Sequence, residues 1–321
     1  LILEINYEEG GFCLGIGVIM LDLTSPYLEW IGPMMPGEVF PYFFTMEMFQ
    51  RALLAAMAVT IVSGFLGSFL LIRNLSLIGD GLAHVSFGGV AVGIVLGSTS
   101  PLWYALLFST ISSILIYEMQ SREILTGDAS IAIFLTGMLA FGLVLLRISG
   151  GGITLDVEGY LFGNLLLIDS ADLDMIITIS LISFFTLISI HSALLATTID
   201  PLAAKIQGLP VRGIGQIFSV VTAMVVVSMV QVVGTLLVTA LLVTPAATAQ
   251  LIGRSFRSCL VLTQIFGFSS VILGLYLSAE MDTGTGSMIA LVSATIFAAV
   301  AISKIIRSYT SGMRIYSLNE A

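Results

Sequence analysis

Residues 213–251 read GIGQIFSVVTAMVVVSMVQVVGTLLVTALLVTPAATAQL, a run with no charged side chain anywhere between Arg212 and Arg254. A helix crosses the hydrocarbon core of a bilayer with about 20 apolar residues. The run is long enough for two crossings, and Gln231 marks the break between them. The rest of the chain has the same character. Of its 321 residues, 57% are hydrophobic and only 10% are charged, against roughly 25% charged in a typical soluble protein. So few polar groups cannot cover the surface of a soluble globule of this size, so lipid must serve as part of the solvent.

Working outward, nine segments are apolar enough to span: roughly 46–72, 77–97, 101–119, 129–148, 173–197, 213–230, 231–251, 258–279 and 285–307. Helices are the natural choice, because each satisfies its own backbone where no water can. The fold class is all-α, a polytopic membrane bundle of about nine helices. Gly89, Gly93 and Gly97 stand at helical spacing and predict close helix packing.

Nine crossings put the termini on opposite sides. With the N-terminus outside, Arg73, Arg122, Lys205, Arg212, Arg254, Arg257, Lys304, Arg307 and Arg314 fall inside, and only Arg51 and Arg147 fall outside. The excess of basic residues on one side selects the N-out, C-in orientation. Acidic Asp156, Glu158, Asp169 and Asp172 then lie in the outer loop 149–172, and Glu280 and Asp282 in the last one.

Three regions follow: an N-terminal extension 1–44, a transmembrane domain 45–308, and a cytoplasmic tail 309–321. The extension carries Glu4, Glu8, Glu9, Asp22, Glu29 and Glu38 with no Lys or Arg. Its apolar stretch Phe12–Leu21 is too short to span and lacks the basic flank of a signal peptide. The expectation is a loosely ordered segment or one at the membrane surface. The chain opens on Leu1, and Met20 is a candidate start.

Several functions are excluded. The net charge of -9 disfavours nucleic acid. No G-x-x-x-x-G-K-[ST], H-E-x-x-H or G-x-S-x-G occurs, so the chain has neither its own ATP-binding loop nor a familiar hydrolase signature. Cys13 and Cys259 form no metal-ligand spacing or disulfide framework.

Chemistry concentrates in Ser76-Leu77-Ile78-Gly79-Asp80-Gly81-Leu82-Ala83-His84. Asp80 and His84 are four residues apart and share a helix face. A carboxylate and an imidazole one turn apart can clip a divalent cation, and an ionisable residue within a span usually faces a partner or a watery path. The competing reading is structural: Asp80 snorkels or caps, and His84 is its hydrogen-bond partner. His191 reads as an interface residue, and Asp128, after Thr126-Gly127, as a helix N-cap.

The inner loop after the fifth span predicts a short helix over 200–209. Asp200 caps it, Pro201 suits its first position, Ala204 and Lys205 extend it, and Gly208 ends it before Pro210. Such a bracketed helix either touches a partner or simply links two spans.

Four stretches in order resemble the membrane permease subunits of ABC importers for zinc, manganese or iron(II). Gly79-Asp80-Gly81-Leu82-Ala83-His84 resembles the family's Gly-Asp-Ala-x-x-His segment. Leu161-Phe162-Gly163-Asn164 resembles its Leu-Phe-Gly-Asn turn. Asp200 to Val211 resembles its cytoplasmic coupling helix, and Gln231-Val232-Val233-Gly234 with Pro245-Ala246-Ala247-Thr248-Ala249 its late transmembrane signature. Gly81 stands where the family usually has Ala, and Gly88 where Pro is frequent, departures expected to loosen the helix around the pair.

The resemblance implies a non-enzymatic transporter subunit of a prokaryotic plasma membrane with no tightly bound cofactor. Two copies line one pathway. A separate ABC ATPase hydrolyses ATP and receives the coupling helix (Asp200, Pro201, Ala204, Lys205, Gly208). An extracytoplasmic metal-binding protein delivers the cation to Asp80 and His84. The alternatives are a permease for metal chelates of siderophore or cobalamin type, a secondary metal transporter driven by an ion gradient, and an intramembrane hydrolase. The secondary transporter would want more intramembrane charge and an internal repeat. The hydrolase would want a Ser, Cys or Asp pair at plausible spacing.

Overall fold

The computed structural model describes residues 15–98, 101–150, 160, 163, 168–235 and 237–319, with side chains to 307. Glu4, Glu8, Glu9, Cys13, Asp156, Glu158, Leu161, Phe162 and Asn164 lie outside the described residues, as does the side chain of Arg314. The described residues are helical, without strands.

Among the described residues, eight helices are long and apolar enough to cross a membrane. They are α3 (Glu47–Ile72), α4 (Ile78–Val95), α5 (Leu102–Ser121), α6 (Gly127–Ile148), α7 (Ser170–Ile199), α9 (Val211–Val233), α12 (Phe256–Met281) and α13 (Thr285–Asn319), with α8 (Pro201–Ile206) between α7 and α9. Their boundaries fall within three residues of the sequence expectation, except that α13 continues through the expected tail to Asn319. Within the N-terminal segment, α1 (Ile16–Ile31), a 3-10 turn at Gly32–Met34 and α2 (Phe40–Phe43) precede the first span.

The expected span 231–251 is not one helix. Residues 231–233 finish α9, and Gly234 breaks it at φ 85°, ψ 160°, backbone that a side chain rarely tolerates. Two short helices follow, α10 (Val238–Leu242) and α11 (Thr244–Ile252), with Pro245 in the first turn of the second. An interrupted helix survives at membrane depth only where protein surrounds the freed backbone. Here Val238, Leu241 and Leu242 are buried. Gly67 of α3 lies directly on the Leu242 carbonyl, and Gly79 of α4 against the Leu242 side chain. The Ser293 hydroxyl of α13 donates to the Ala240 carbonyl at 3.1 Å.

Side-chain contacts set the relative directions of the helices. Phe69 of α3 meets His191 of α7 at 5.7 Å and Phe256 of α12 at 5.0 Å. The C-terminal ends of α3 and α7 and the start of α12 therefore share one side with α8. Lipid gives apolar helices no reason to associate, so close fit and polar contacts must hold them together. Small residues supply the fit. A Cβ on Gly89 would lie 2.6 Å from the Tyr104 carbonyl of α5, and one on Gly93 2.9 Å from Pro101. Gly97 has no such neighbour and sits instead at the turn ending α4, where Ser98 N–H donates to the Gly93 carbonyl at 3.0 Å.

Candidate metal passage and coupling face

The chain reverses sharply between α3 and α4. Asn74 takes φ 55°, a left-handed conformation that asparagine enters more readily than most residues. Leu75 N–H donates back to the Leu70 carbonyl at 2.9 Å. The tight return sends α4 into the middle of the bundle, packed against α5, α6, α9 and α10. Fourteen of its 18 residues are buried.

Asp80 and His84 lie on this enclosed helix. The His84 side chain is 9% exposed and that of Asp80 31%. His84 Nε2 stands 3.9 Å from Asp80 Oδ1, beyond hydrogen-bond reach. His84 Nδ1 is buried without a hydrogen-bond partner. Two donors sharing one ion through bonds of about 2.0–2.2 Å stand ~3.4 Å apart at the tetrahedral angle, so a small rotation of either side chain brings the pair to ligating distance. Among the described residues no group of three or more His, Cys, Asp or Glu could hold a metal, so the chain brings two such donors together here.

Gly81 and Gly88 do not loosen α4. They are the positions where α6 comes closest: a Cβ at Gly81 would lie 2.6 Å from Ile131 Cγ2, and one at Gly88 2.9 Å from the Met138 carbonyl. Asp128 is not an N-cap. Thr126 holds that position, and Asp128 sits in the first turn of α6, where its charge favours the helix N-terminus. His191 is not brought to the pair; its ring packs among Phe65, Phe69 and Phe256.

Helix α8 is built as its residues imply. Asp200 Oδ1 accepts from Leu202 N–H at 3.0 Å and Ala203 N–H at 2.9 Å. Pro201 opens α8, and Gly208 at φ 84° lets Leu209 N–H return to the Ala204 carbonyl at 3.1 Å. Ala204 is buried, so it seats the helix on its own chain. Lys205 is exposed. Leu202 at 75% and Ile206 at 87% exposure project from α8 as an i, i+4 apolar pair. Sequence reading missed them because apolar residues are ordinary in this chain; their signal is position on a loop helix flanked by charge.

Two polar clusters tie this face to the bundle. Arg73 Nε donates to Thr198 Oγ1 at 2.9 Å, and its terminal nitrogen to Thr197 Oγ1 at 3.2 Å. The guanidinium also lies 4.6 Å over the Phe218 ring of α9. Burial pulls its pKa below the usual value, but an arginine keeps its charge. Arg212, at the start of α9, pairs with Glu118 of α5, which also pairs with Arg122 at 2.7 Å.

The opposite end has its own cluster. Gln231, which marks the break in the apolar run, donates from Nε2 to Asp172 Oδ1 at 2.9 Å. Gly163 lies on the backbone of Val233 and Gly234 with no room for a side chain, and Thr235 N–H donates to the Tyr160 carbonyl at 3.0 Å. Burial foremost, then the Asp172 charge, raises the Tyr160 phenol, which stays neutral. Two separate stretches, one around Gly163 and one ending at Gly234, thus form a single junction.

A family model described as the ABC 3 transport family matches residues 45–304. The chain is 34% identical over 248 residues to the manganese import system permease protein ScaB of Streptococcus parasanguinis, covering 77% of this chain and 88% of that one. It is 32% identical over 254 residues to the high-affinity zinc uptake system membrane protein ZnuB of Haemophilus influenzae, covering 78% and 95%. Among solved structures it resembles PsaBC from Streptococcus pneumoniae in complex with Fab, with a TM-score of 0.69 and 32% identity over 79% of this chain and 90% of that one. An inward-facing ABC transporter of metal-chelate type shares the fold at TM-score 0.67 and 16% identity, covering 89% and 98%. The chain belongs to the ABC 3 transport family, as a multi-pass membrane permease subunit and not an enzyme.

Proposed function

We propose that this chain is the membrane permease of an ATP-driven importer of a divalent transition-metal cation, manganese(II), zinc(II) or iron(II). The observation that carries the reading is the Asp80–His84 pair: two donors one turn apart on the enclosed α4, not hydrogen-bonded to each other. The manganese and zinc transport named for its relatives supports the substrate class. Asp80 contributes charge and a hard oxygen, and His84 a neutral nitrogen. Two ligands are too few for a closed structural site, which suits a cation that must leave again. A second copy of the chain contributes the matching pair across a shared pathway.

A separate ATPase hydrolyses ATP and engages α8 through Leu202, Lys205 and Ile206, while Asp200, Pro201 and Gly208 fix the helix shape and Ala204 its seat. Arg73 joins the residues just before α8 to the turn leading into α4, so movement of the coupling helix reaches the metal-bearing helix. A binding protein on the other side delivers the cation.

The test is uptake of radioactive manganese and zinc by the complete transporter carrying Asp80→Ala or His84→Ala. Loss of uptake in variants that still assemble with the ATPase is the expected result. Unchanged uptake of every divalent metal in both variants would overturn the reading.

A further inference from the structure

We infer that α1 is an interfacial helix, lying in the membrane plane across the outer ends of two spans and inserting one apolar stripe into the outer-leaflet lipid. Helix α1 lies before the family-matched region, which begins at residue 45.

Its orientation follows from two anchors. Asp174 of α7, a buried carboxylate, accepts from Gly17 N–H at 2.5 Å and Val18 N–H at 3.1 Å, capping α1 from another helix. Eight residues later, the Ser25 hydroxyl donates to Gln50 Oε1 of α3 at 2.7 Å. Helices α3 and α7 run side by side in the same direction. The register that pairs Phe69 with His191 and Arg73 with Thr198 places Gln50 level with residues 172–175. Both anchors are therefore at one depth, near the ends of α3 and α7 remote from α8. Eight residues of helix advance about 12 Å, close to the 8–10 Å between packed helix axes. Helix α1 spends that advance crossing sideways from α7 to α3.

The segment then continues to a third span. Val39 and Phe40 N–H both donate to Glu280 Oε1 at 3.0 Å, at the end of α12. Phe40 stacks edge-on against Phe44, Phe49 and Tyr276. Residues 17–40 thus strap the outer ends of α7, α3 and α12.

Around its axis, α1 has three sectors. Gly17 and Leu21 are buried against the bundle, and Leu28 packs beside them. Asp22 and Glu29, seven residues apart, form an exposed acidic flank. Ile19, Leu23, Tyr27 and Trp30 form a separate stripe, each between 54% and 69% exposed. A helix at the meeting line of protein, water and lipid needs these three faces. Tyr and Trp are the residues favoured at that level of a bilayer. Deeper along α7, Ile182, Phe185 and Ile188 are likewise exposed, as lipid-facing side chains of a span would be. With no Lys or Arg before Arg51, insertion depends on apolar contact and not on anionic headgroups.

Trp30 is a built-in reporter, because the only other tryptophan is Trp103. The assembled transporter carrying Trp103→Phe, or Trp103→Tyr if assembly falters, is reconstituted in phosphatidylcholine vesicles with nitroxide labels at shallow or deep acyl positions, and the emission of the same complex also carrying Trp30→Phe is subtracted to remove the ATPase's tryptophans. Shallow labels should quench Trp30 at least twofold more than deep ones, and aqueous iodide only weakly, with no change when a third of the lipid is phosphatidylglycerol. Strong iodide quenching without lipid quenching would put the stripe in water. Protection from both would put a second copy or another protein over it. Deeper labels quenching more would make α1 a penetrating segment. Each of these results overturns the inference, and none depends on which metal is carried.

Discussion

The guanidinium of Arg73, at the end of one span, holds the hydroxyl of Thr198, three residues before α8 begins, at 2.9 Å. One side chain thereby joins the turn that launches α4 to the segment that launches α8. Asp80 lies seven residues beyond Arg73, and Asp200 two residues beyond Thr198. The link is short, partly buried and charge-assisted, the kind of contact whose loss costs about 1.5–3 kcal/mol.

Arg73→Ala should therefore separate ATP hydrolysis from transport. In proteoliposomes with the ATPase bound, metal carried per ATP hydrolysed should fall about tenfold or more. Arg73→Lys keeps the charge but not the forked geometry and should recover part of the coupling. A simple loss of stability would lower transport and hydrolysis together, so an unchanged ratio would remove Arg73 from the coupling path.

Asp80→Ala and His84→Ala should each reduce uptake by on the order of tenfold or more, since each tenfold corresponds to only ~1.4 kcal/mol of lost ligation. Initial-rate uptake of radioactive manganese and zinc by each variant, at matched permease and ATPase levels, checks the size of the loss.

On the face of α8 proposed to meet the ATPase, Leu202→Asp and Ile206→Asp place charge on two strongly exposed apolar side chains and should prevent copurification of the ATPase without unfolding the permease. Ala204→Pro should act more severely, because it removes a backbone N–H that donates to the Asp200 carbonyl at 3.0 Å. A pull-down of the ATPase with each variant, at matched permease levels, measures the order.

At the outer strap, Asp174→Ala removes the acceptor for two α1 amides, and Glu280→Ala the acceptor for two at α2. Loss of a cap costs about 0.5–2 kcal/mol. Amide exchange should therefore quicken locally, in residues 16–31 for the first variant and 38–44 for the second, while α4 exchange is unchanged. Equal quickening throughout would mean that these carboxylates support the whole bundle.

What the sequence determined by itself was the class of solvent, the helical spans and the local devices. Charge is so scarce that long uncharged runs mark the spans directly, and backbone satisfaction in lipid leaves helix as the choice. The i, i+4 spacing of Asp80 and His84 and the Asp200–Gly208 brackets are local too, set by helix geometry alone. Tertiary structure decided the rest. A helix in lipid is apolar on the face that meets lipid and on the face that meets protein, so α3 and α4 carry little asymmetry to say which neighbours they touch. Which threonines Arg73 would find, why Gly81 and Gly88 must be small, and where Asp174 would cap α1 all depend on which helices lie side by side. The break at Gly234 belongs with them: residues 231–251 are hydrophobic enough to span as one helix, and only the enclosure of Leu241 and Leu242 by α3, α4 and α13 makes an interrupted one affordable.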